Sequence, residues 1–373
     1  MKKIFTPEEY GVERRPDMAD FMQYGAAAAA ALIEQARIER ELASFGAELG
    51  IDFVEKAQFE DAEAPDEYTL KGRWHTDLEE IADVRGAVPE VNIPGVYTFE
   101  EFDRAPHFPV VAKPHMLYGT PWHTSQGEGK FLIENEEQWV RFRAFLVDQS
   151  LPFPIGSKWE GYQAVPNTQN LGKNAFYFQD FVETPSDRYT SVRVVVTATG
   201  HILCSSLLYS DTKMGEEPTL QIDSENYWIG PGNEMTDALK LPNSPVYLGS
   251  KAIFSNRSMG GGGIVLNPDS HSKEASPTEM DILRAHGFDP DEPQLPEELA
   301  RLSTLIAQRF GKKKGIVLGI DWVLGKDGTW RYLETNVSPG MKTYLDTHMG
   351  GSGSETDAYL EVYKTALQDI AEN

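Results

Sequence analysis

The sequence predicts a mixed α/β (α+β) fold, and three features carry that prediction. Residues 316–323 are apolar and rich in β-branched side chains, and residues 330–335 form a second strand-like run. The residues between them, Lys326-Asp327-Gly328-Thr329, contain Asp-Gly, which tolerates the positive φ of tight turns, so the two runs are predicted to form a β-hairpin. Residues 297–310 carry apolar side chains at helical spacing and predict an amphipathic helix.

The size and composition of the chain are those of an ordinary globular protein. Its 373 residues are enough for two or three domains with a sizeable core. Apolar residues make up 40% and charged residues 25% of the chain. No apolar run approaches the length of about 18 residues that a membrane span needs. Residues 1–8 also lack the apolar stretch of a signal peptide.

The chain contains one cysteine, Cys204, which lies inside an apolar run. A single thiol cannot form an internal disulfide, and this fits a reducing compartment. We expect Cys204 to fill the core rather than to act as a nucleophile. Taken together with the missing signal and membrane segments, this predicts a cytoplasmic protein.

The formal net charge of −24 limits the binding partners. It disfavours nucleic acid, because non-specific nucleic-acid binding needs a basic surface. It also opposes an anionic nucleotide, so ATP binding would require a few basic residues that create a local positive pocket. The sequence therefore predicts no nucleic-acid partner and directs attention to basic residues near glycine-rich turns.

The predicted hairpin carries a candidate metal site. Asp321 lies within its first strand, and Glu334 and Asn336 stand at the end of the second. Residues two apart on a strand point to the same face, and the hairpin can bring Asp321 beside them. Two carboxylates and an amide oxygen are ligands suited to Mg²⁺. The alternative interpretation is a hairpin with two solvated acids.

The motif that contains these three residues continues into Ser338-Pro339-Gly340. The pattern D-(x)12-E-x-N-x-S-P-G resembles the metal-binding end of the ATP-grasp fold, especially its ribosomal-protein-modifying and glutathione-synthetase-like ligase branch. The resemblance implies an ATP-grasp fold of two subdomains enclosing a nucleotide cleft, with a smaller N-terminal domain. It divides the chain into an N-terminal domain of open role (1–105), a lysine-strand and phosphate-loop subdomain (106–178), a metal-binding subdomain (179–350) and a C-terminal helix (351–373).

A short buried strand over residues 108–114 ends near Lys113, and a glycine-containing loop follows it. Glycines let backbone N–H groups approach phosphate oxygens, and lysines supply positive charge. The alternative is a hairpin with a flexible tip. The strand, the loop and the Asn135-capped helix after it resemble the ATP-grasp lysine strand and phosphate-covering loop. The resemblance implies nucleotide contacts from Lys113, Gly127, Gly129 and Lys130.

Residues 176–182 form a strand that runs into a turn and resembles the family's adenine hinge. The resemblance implies that Gln179, Asp180 and Val182 contact the adenine edge. Arg193, on the next strand, matches the arginine of the family's Asp-x-Arg pattern, but Ser191 stands in the acid position. Asp187 is the nearest acid and becomes the ribose candidate. The alternative for Arg193 is a strand arginine in a surface ion pair.

Residues 255–263 resemble the family's Ser-Asn loop near the γ-phosphate and the acceptor. The family's basic residue precedes the glycines, where this chain has Met259, so Arg257 is the candidate together with Asn256. The glycines could otherwise form a simple linker. Residues 150–174 and 210–250 are irregular insertions whose roles the sequence leaves open.

The resemblance implies an ATP-dependent carboxylate–amine ligase. ATP would phosphorylate a carboxylate, an amine (an amino acid or a peptide) would attack the acylphosphate, and ADP and phosphate would leave. Mg²⁺, or Mn²⁺ in its place, would bind Asp321, Glu334 and Asn336, while Arg193 and Arg257 would stabilise the transferring group. The alternatives are a kinase of the same fold and a non-catalytic ATP-binding regulatory protein. The sequence leaves homo-oligomer formation open.

Overall fold

The computed structural model describes residues 37–38, 40–51, 77–114, 131–147, 176–214, 262–267, 275–311, 315–336, 339, 344–345 and 354–372. Within them, the strands are β1 (Val96–Tyr97), β2 (Val110–Pro114), β3 (Phe131–Ile133), β4 (Phe176–Asp180), β5 (Arg188–Thr197), β6 (Ile202–Lys213), β7 (Gly262–Leu266), β8 (Val317–Leu324) and β9 (Trp330–Asn336). The helices are α1 (residues 40–48), α2 (Asp77–Ala87), α3 (Phe99–Arg104), α4 (Glu136–Val147), α5 (Pro277–Ala285), α6 (Glu297–Ile306, continued by a π-helical turn at Ala307–Gly311) and α7 (Glu355–Glu372).

These elements belong to two compact units. One contains the described residues from Pro94 to Phe181 together with residues 210–214 at the end of β6, and the other contains the remaining described residues. The first unit holds a four-stranded sheet in the order β1-β4-β2-β3. One face of this sheet is a cluster of aromatic side chains, in which Phe102 of α3 stacks on Phe178 of β4 at 4.8 Å between ring centroids. Phe99 and Trp139 pack against the same ring.

The second unit holds a five-stranded sheet in the order β7-β6-β5-β8-β9, in which β8 pairs antiparallel with both β5 and β9. A core cluster joins α1 and α7 to residues of this sheet, with Leu42, Val317 and Leu367 fully buried in it. On the opposite face of β8, the Trp322 indole donates to Ser303 Oγ of α6 at 3.0 Å. The sheet is thus packed against helices on both faces, and the predicted α+β class is confirmed.

The predicted hairpin is confirmed as β8 and β9. Gly328 has φ of +77°, the left-handed conformation that the Asp-Gly sequence predicts. Gly325 N donates to Thr329 O at 3.0 Å and closes the turn. The predicted Asn135 cap of α4 is also confirmed, because Gln138 N donates to Asn135 Oδ1. The helix α7 begins with a cap of the same kind, in which Asp357 N donates to Ser354 Oγ.

Cys204 is buried, as expected of a core residue, and burial raises the pKa of its thiol to about 12. The thiol therefore stays protonated at neutral pH and is a poor nucleophile. None of the helices in the described residues is both long and apolar enough to cross a bilayer.

Candidate active site

The hairpin brings the three predicted metal ligands together. Asp321 lies directly opposite Glu334, and Gly319 lies opposite Asn336, in the antiparallel pairing of β8 with β9. Residues directly opposite each other share a face of the sheet, so the two carboxylates and the amide project from the same side. Asp321 is only 4% exposed. This burial contradicts, for Asp321, the alternative of a solvated surface acid.

A β-bulge lies immediately beside this set. Asp321 pairs with Glu334 while Trp322 pairs with Tyr332, so Leu333 is an extra residue in β9. In a regular strand, Tyr332 and Glu334 would lie on the same face of the sheet, because they are two residues apart. With the extra residue, Tyr332 turns into the core against Trp322, at 5.9 Å between ring centroids, while Glu334 turns to the other face.

Arg193 is held against Asp321 by a two-pronged ion pair. Nε of Arg193 donates to Oδ1 at 2.7 Å and Nη2 donates to Oδ2 at 2.6 Å. Burial alone would lower the pKa of Arg193, but the charge and hydrogen bonds of Asp321, with a further contribution from Glu334, raise it. Arg193 is therefore fixed as a cation. Arg193 therefore forms an ion pair, but not the surface pair of the alternative interpretation, because 21% of its side chain and 6% of the Asp321 side chain are exposed.

Asn336 completes the arrangement around Asp321. Its Nδ2 donates to Asp321 Oδ2 at 3.0 Å, which leaves the amide oxygen as the group available to a cation. The resulting donor set consists of oxygens from Asp321, Glu334 and Asn336, and it suits a hard divalent ion such as Mg²⁺. Within the described residues, no three side chains of His, Cys, Asp or Glu are grouped to hold a metal ion, so the amide is needed as the third donor.

Gly319 explains how the chain after β9 packs onto this face. A Cβ built at Gly319 would lie 2.6 Å from Cβ of Pro339 and 3.6 Å from Cδ of Arg193. The proline ring of the Ser338-Pro339-Gly340 motif therefore occupies the space that a side chain at position 319 would fill. Ser338 and Gly340 lie outside the described residues.

Two predicted nucleotide residues share a face of the four-stranded sheet. Lys113 pairs with Tyr177 and Val111 pairs with Gln179, so these four side chains lie on the face opposite the aromatic core. Both predicted contacts are buried, and Lys113 Nζ lies 6.0 Å from the centre of the Tyr177 ring. Gln179 Nε2 has no hydrogen-bond partner within the described part of the chain. A buried, unsatisfied amide donor is costly, and a bound ligand would remove that cost.

The structure does not place the other predicted hinge residues on that face. The carboxylate of Asp180 accepts hydrogen bonds from His107 Nε2 at 2.7 Å, Gly95 N at 3.1 Å and Tyr97 OH at 3.4 Å. Asp180 lies two residues after Phe178 on β4, so its side chain shares the face of Phe178 and lies on the opposite side of the sheet from Gln179. Its role in nucleotide binding stays a prediction.

The remaining predicted positions are less informative. Val182 is half-buried just after β4, and Asp187 is exposed in the turn before β5. Five predicted site residues lie outside the described residues, namely Gly127, Gly129, Lys130, Asn256 and Arg257. Their roles stay predictions.

Sequence reasoning missed one buried acid beside the site, Glu80 of α2. Its Oε1 accepts from the backbone N–H of Thr335, the residue between Glu334 and Asn336. A signal for it exists, because Glu80 shares a helical stripe with the buried Val84 and Val88. An acid on an apolar stripe is unusual unless it has a partner.

Comparison with known proteins gives weak likenesses. No family model matches the chain, and no curated protein matches its sequence. Among solved structures, the chain is similar to D-alanine–D-alanine ligase from Bacillus anthracis, with 11% identity over 82% of this chain and 72% of that one, at a TM-score of 0.39. It is also similar to a Chryseobacterium gregarium RiPP-associated ATP-grasp ligase in complex with ADP and a leader and core peptide. That match has 12% identity, covers 96% of this chain and 73% of that one, and has a TM-score of 0.38.

A third solved structure, the ATP-grasp ligase PsnB complexed with minimal precursor, shares 12% identity at a TM-score of 0.37. That match covers 77% of this chain and 59% of PsnB. The chain therefore spans less than two thirds of the length of PsnB.

Proposed function

We propose that the protein is an ATP-grasp enzyme, an ATP-dependent carboxylate–amine ligase that forms an amide or peptide bond through an acylphosphate. The observation that carries the proposal is the grouping of Asp321, Glu334 and Asn336 on one sheet face, with Arg193 fixed beside them. These residue types suit the handling of a metal-bound polyphosphate, because they combine hard oxygen donors with one permanent cation.

The donor set supports a site for Mg²⁺, or for Mn²⁺ in its place, on Asp321, Glu334 and Asn336. Such an ion, when bound, supplies charge neutralisation to phosphate oxygens during phosphoryl transfer. Arg193 has five N–H donors and uses two of them on Asp321. The paired carboxylate fixes the direction of the guanidinium, so its other donors are held ready for an oxyanion.

The four-stranded sheet supports the nucleotide part of the proposal. Lys113 and Gln179 lie on one buried face. Lys113 offers a cation, and Gln179 offers an amide N–H donor that has no hydrogen-bond partner in the described residues. A cation suits phosphate oxygens, and a buried N–H donor suits a ring nitrogen of adenine. Because the chain has a net charge of −24, a local positive charge such as that of Lys113 is needed to attract an anionic nucleotide.

The proposed chemistry has two balanced steps. A carboxylate oxygen of the substrate attacks the γ-phosphorus of ATP, and the bond to the bridging oxygen breaks to release ADP. The amine nitrogen then attacks the acyl carbon, the carbon–oxygen bond to phosphate breaks, and the amine loses a proton. The substrate can be an amino acid, a peptide or a small acid. No protein nucleophile is needed, and this agrees with the buried, protonated state of Cys204.

Two alternative functions use the same residues. A kinase would transfer the phosphoryl group to a hydroxyl and stop there, and a regulatory protein would bind ATP without turnover. The presence of all three candidate metal ligands favours an enzyme over a regulator, because binding alone does not require each of them.

The experiment is incubation with Mg-ATP, pooled amino acids and pooled small carboxylic acids, with mass spectrometry of the products. The carboxylates carry ¹⁸O. A ligase gives an amide, ADP and phosphate that contains one ¹⁸O from the carboxylate. A kinase gives a phosphorylated product with no amide, and adenylation gives AMP and pyrophosphate. Either of these results would contradict the proposed mechanism.

A further inference from the structure

The outer edge of β9 is covered by residues from the N-terminal part of the chain. β9 is the last strand in the order of its sheet, so among the described residues no strand lies beside its outer N–H groups. Two of them are nevertheless bonded. Tyr332 N donates to Asn92 O at 2.8 Å, and Thr335 N donates to Glu80 Oε1 at 2.6 Å. The polar groups of an edge strand are thereby satisfied and protected.

The same oxygen of Glu80 accepts a second hydrogen bond from β9. The Tyr332 hydroxyl donates to Oε1 at 2.6 Å and lies 2.8 Å from Thr335 Oγ1. Burial and the nearby charge of Glu80 raise the pKa of Tyr332 well above its ordinary value, so the phenol keeps its proton and remains the donor. Hydrogen bonds to a charged acceptor in a buried place are among the stronger ones.

The position of Glu80 is itself fixed by packing. Ile81, Val84 and Val88 are buried at helical spacing on and just after α2. The helix therefore cannot rotate without exposing these side chains. Glu80 is 5% exposed, and its carboxylate is presented to β9 from a helix whose neighbouring apolar side chains are buried.

The two bonds lie on either side of the bulge. Tyr332 lies before Leu333 and Thr335 lies after it. Their N–H groups point to the same edge of β9 although they are three residues apart. In a regular strand that spacing would be two residues, and the one extra residue of the bulge accounts for the difference. In a strand without other constraints, a slip by one residue turns every side chain to the opposite face. Glu80 and Asn92 thus hold the bulge at Leu333.

We infer that Glu80 is a positioning residue that locks β9 in the register presenting Glu334 and Asn336 to the face of Asp321. The inference rests on the proposed function, since it concerns the predicted metal ligands, and it assigns a role to the part of the chain whose function the sequence left open. Glu80 acts through the backbone of Thr335 and the hydroxyl of Tyr332, and it does not contact the metal.

Three variants separate positioning from general stability. Glu80→Leu removes both acceptor bonds, whereas Glu80→Gln keeps Oε1 as an acceptor and serves as the conservative rescue. Thr190→Val is the matched control, because it removes a buried side-chain hydrogen bond, to His286 Nε2 at 2.7 Å, elsewhere in the same unit. If Glu80→Leu does not fold, Tyr332→Phe takes its place, because it removes one of the two bonds and keeps the ring.

The measurement is Mn²⁺ binding in the presence of ADP, followed by water-proton relaxation, together with ADP binding without metal. We expect Glu80→Leu to weaken Mn²⁺ binding about 10- to 100-fold, as the loss of an outer-shell residue does in other metal sites. Tyr332→Phe should weaken it less, and Glu80→Gln and Thr190→Val should bind Mn²⁺ like the parent. Metal-free ADP binding should stay unchanged in all four.

The outcomes distinguish this inference from the proposed function. If Glu334→Gln weakens Mn²⁺ binding while Glu80→Leu and Tyr332→Phe bind it like the parent, Glu80 has no positioning role. If Thr190→Val weakens Mn²⁺ binding as much as Glu80→Leu does, the effect is general destabilisation and the inference is overturned. If Glu334→Gln leaves Mn²⁺ binding unchanged, the metal site itself is misassigned and the proposed function fails.

Discussion

Arg193 and Asp321 face each other across β5 and β8 and are joined by two hydrogen bonds of 2.7 and 2.6 Å. A second arginine–aspartate pair, Arg331 and Asp327, lies at the turn end of the hairpin. The two pairs differ in burial, because 6% of the Asp321 side chain is exposed against 53% of Asp327. The same ionic chemistry should therefore have different energetic consequences at the two places.

Arg193→Met should lower the free energy of unfolding by about 3 kcal/mol, because it leaves the buried Asp321 carboxylate without its cation. Arg331→Met is the control and should cost at most about 1 kcal/mol, since exposed ion pairs contribute little. Urea unfolding of both variants and the parent measures the difference. Equal losses for the two variants would show that the buried pair has no special role.

Gly319→Ala should destabilise the protein by about 1–3 kcal/mol, as overpacking does, because the new Cβ would lie 2.6 Å from Pro339 Cβ. The control is Gly86→Ala on α2, where a Cβ meets nothing within 4 Å. That change should stabilise the helix by about 0.5–1 kcal/mol. Thermal unfolding should move in opposite directions for the two variants. A stabilised Gly319→Ala would contradict the packing of Pro339 onto β8.

The hairpin could be predicted from the sequence because its determinants are local. The Asp327-Gly328 turn and the spacing of Glu334 and Asn336 require only neighbouring residues and the two-residue period of a strand. The bulge at Leu333 could not be predicted in the same way. It depends on where Tyr332 packs in the core, and this is decided by other elements.

The partners of the site are distant in sequence, so sequence patterns alone do not identify them. Arg193 lies 128 residues from Asp321, and Glu80 lies 255 residues from Thr335. The sequence marked Arg193 as an ion-pair candidate, but it contained no information on how deeply Asp321 is buried. The apolar helical stripe that contains Glu80 indicates burial, but acids on helices are usually solvated, and only the fold shows that Thr335 and Tyr332 are its partners.

Lys113→Met should weaken metal-free ADP binding roughly 10- to 100-fold, through the loss of a charge-assisted contact to phosphate. Lys113 is buried beside Tyr177, so methionine is chosen to keep the apolar stem in place. Lys326→Met, at an exposed lysine paired with Glu183, is the control. Parent-like calorimetric titration of Lys113→Met with ADP would remove Lys113 from the nucleotide site.

His286 should make the stability of the protein pH-dependent. It donates from Nδ1 to Ile282 O and is buried, and burial lowers its pKa below the ordinary value of 6.5. As pH falls below 6.5 the unfolded chain takes up a proton before the folded one does, so the free energy of unfolding falls with pH in that window. Above 6.5 both states are neutral and this contribution is fully present. Urea unfolding of the parent and His286→Leu from pH 8 to pH 5 should show a smaller pH slope for the variant, and equal slopes would contradict the assignment.

Glu334→Gln tests the observation on which the proposed function depends. The change keeps the size and shape of the side chain but replaces a charged oxygen ligand with a weaker neutral one. The loss of a metal ligand that acts in the transition state should cost several kcal/mol, on the order of a thousandfold in the rate of ADP release. Folding should change little, because the variant removes both the repulsion between Glu334 and Asp321 and the attraction between Glu334 and Arg193, and these two effects oppose each other.

Asp327→Asn is the matched control for Glu334→Gln, since it removes one negative charge from the exposed turn end of the same hairpin. Asparagine is well tolerated in turns, so this variant should keep the rate and Mg²⁺ dependence of the parent. ADP release measured against Mg²⁺ concentration for the parent and both variants decides the question. If Glu334→Gln follows the Mg²⁺ dependence of the parent, Glu334 is a partly exposed strand acid with no part in catalysis. The three-residue site on the hairpin would then have to be abandoned.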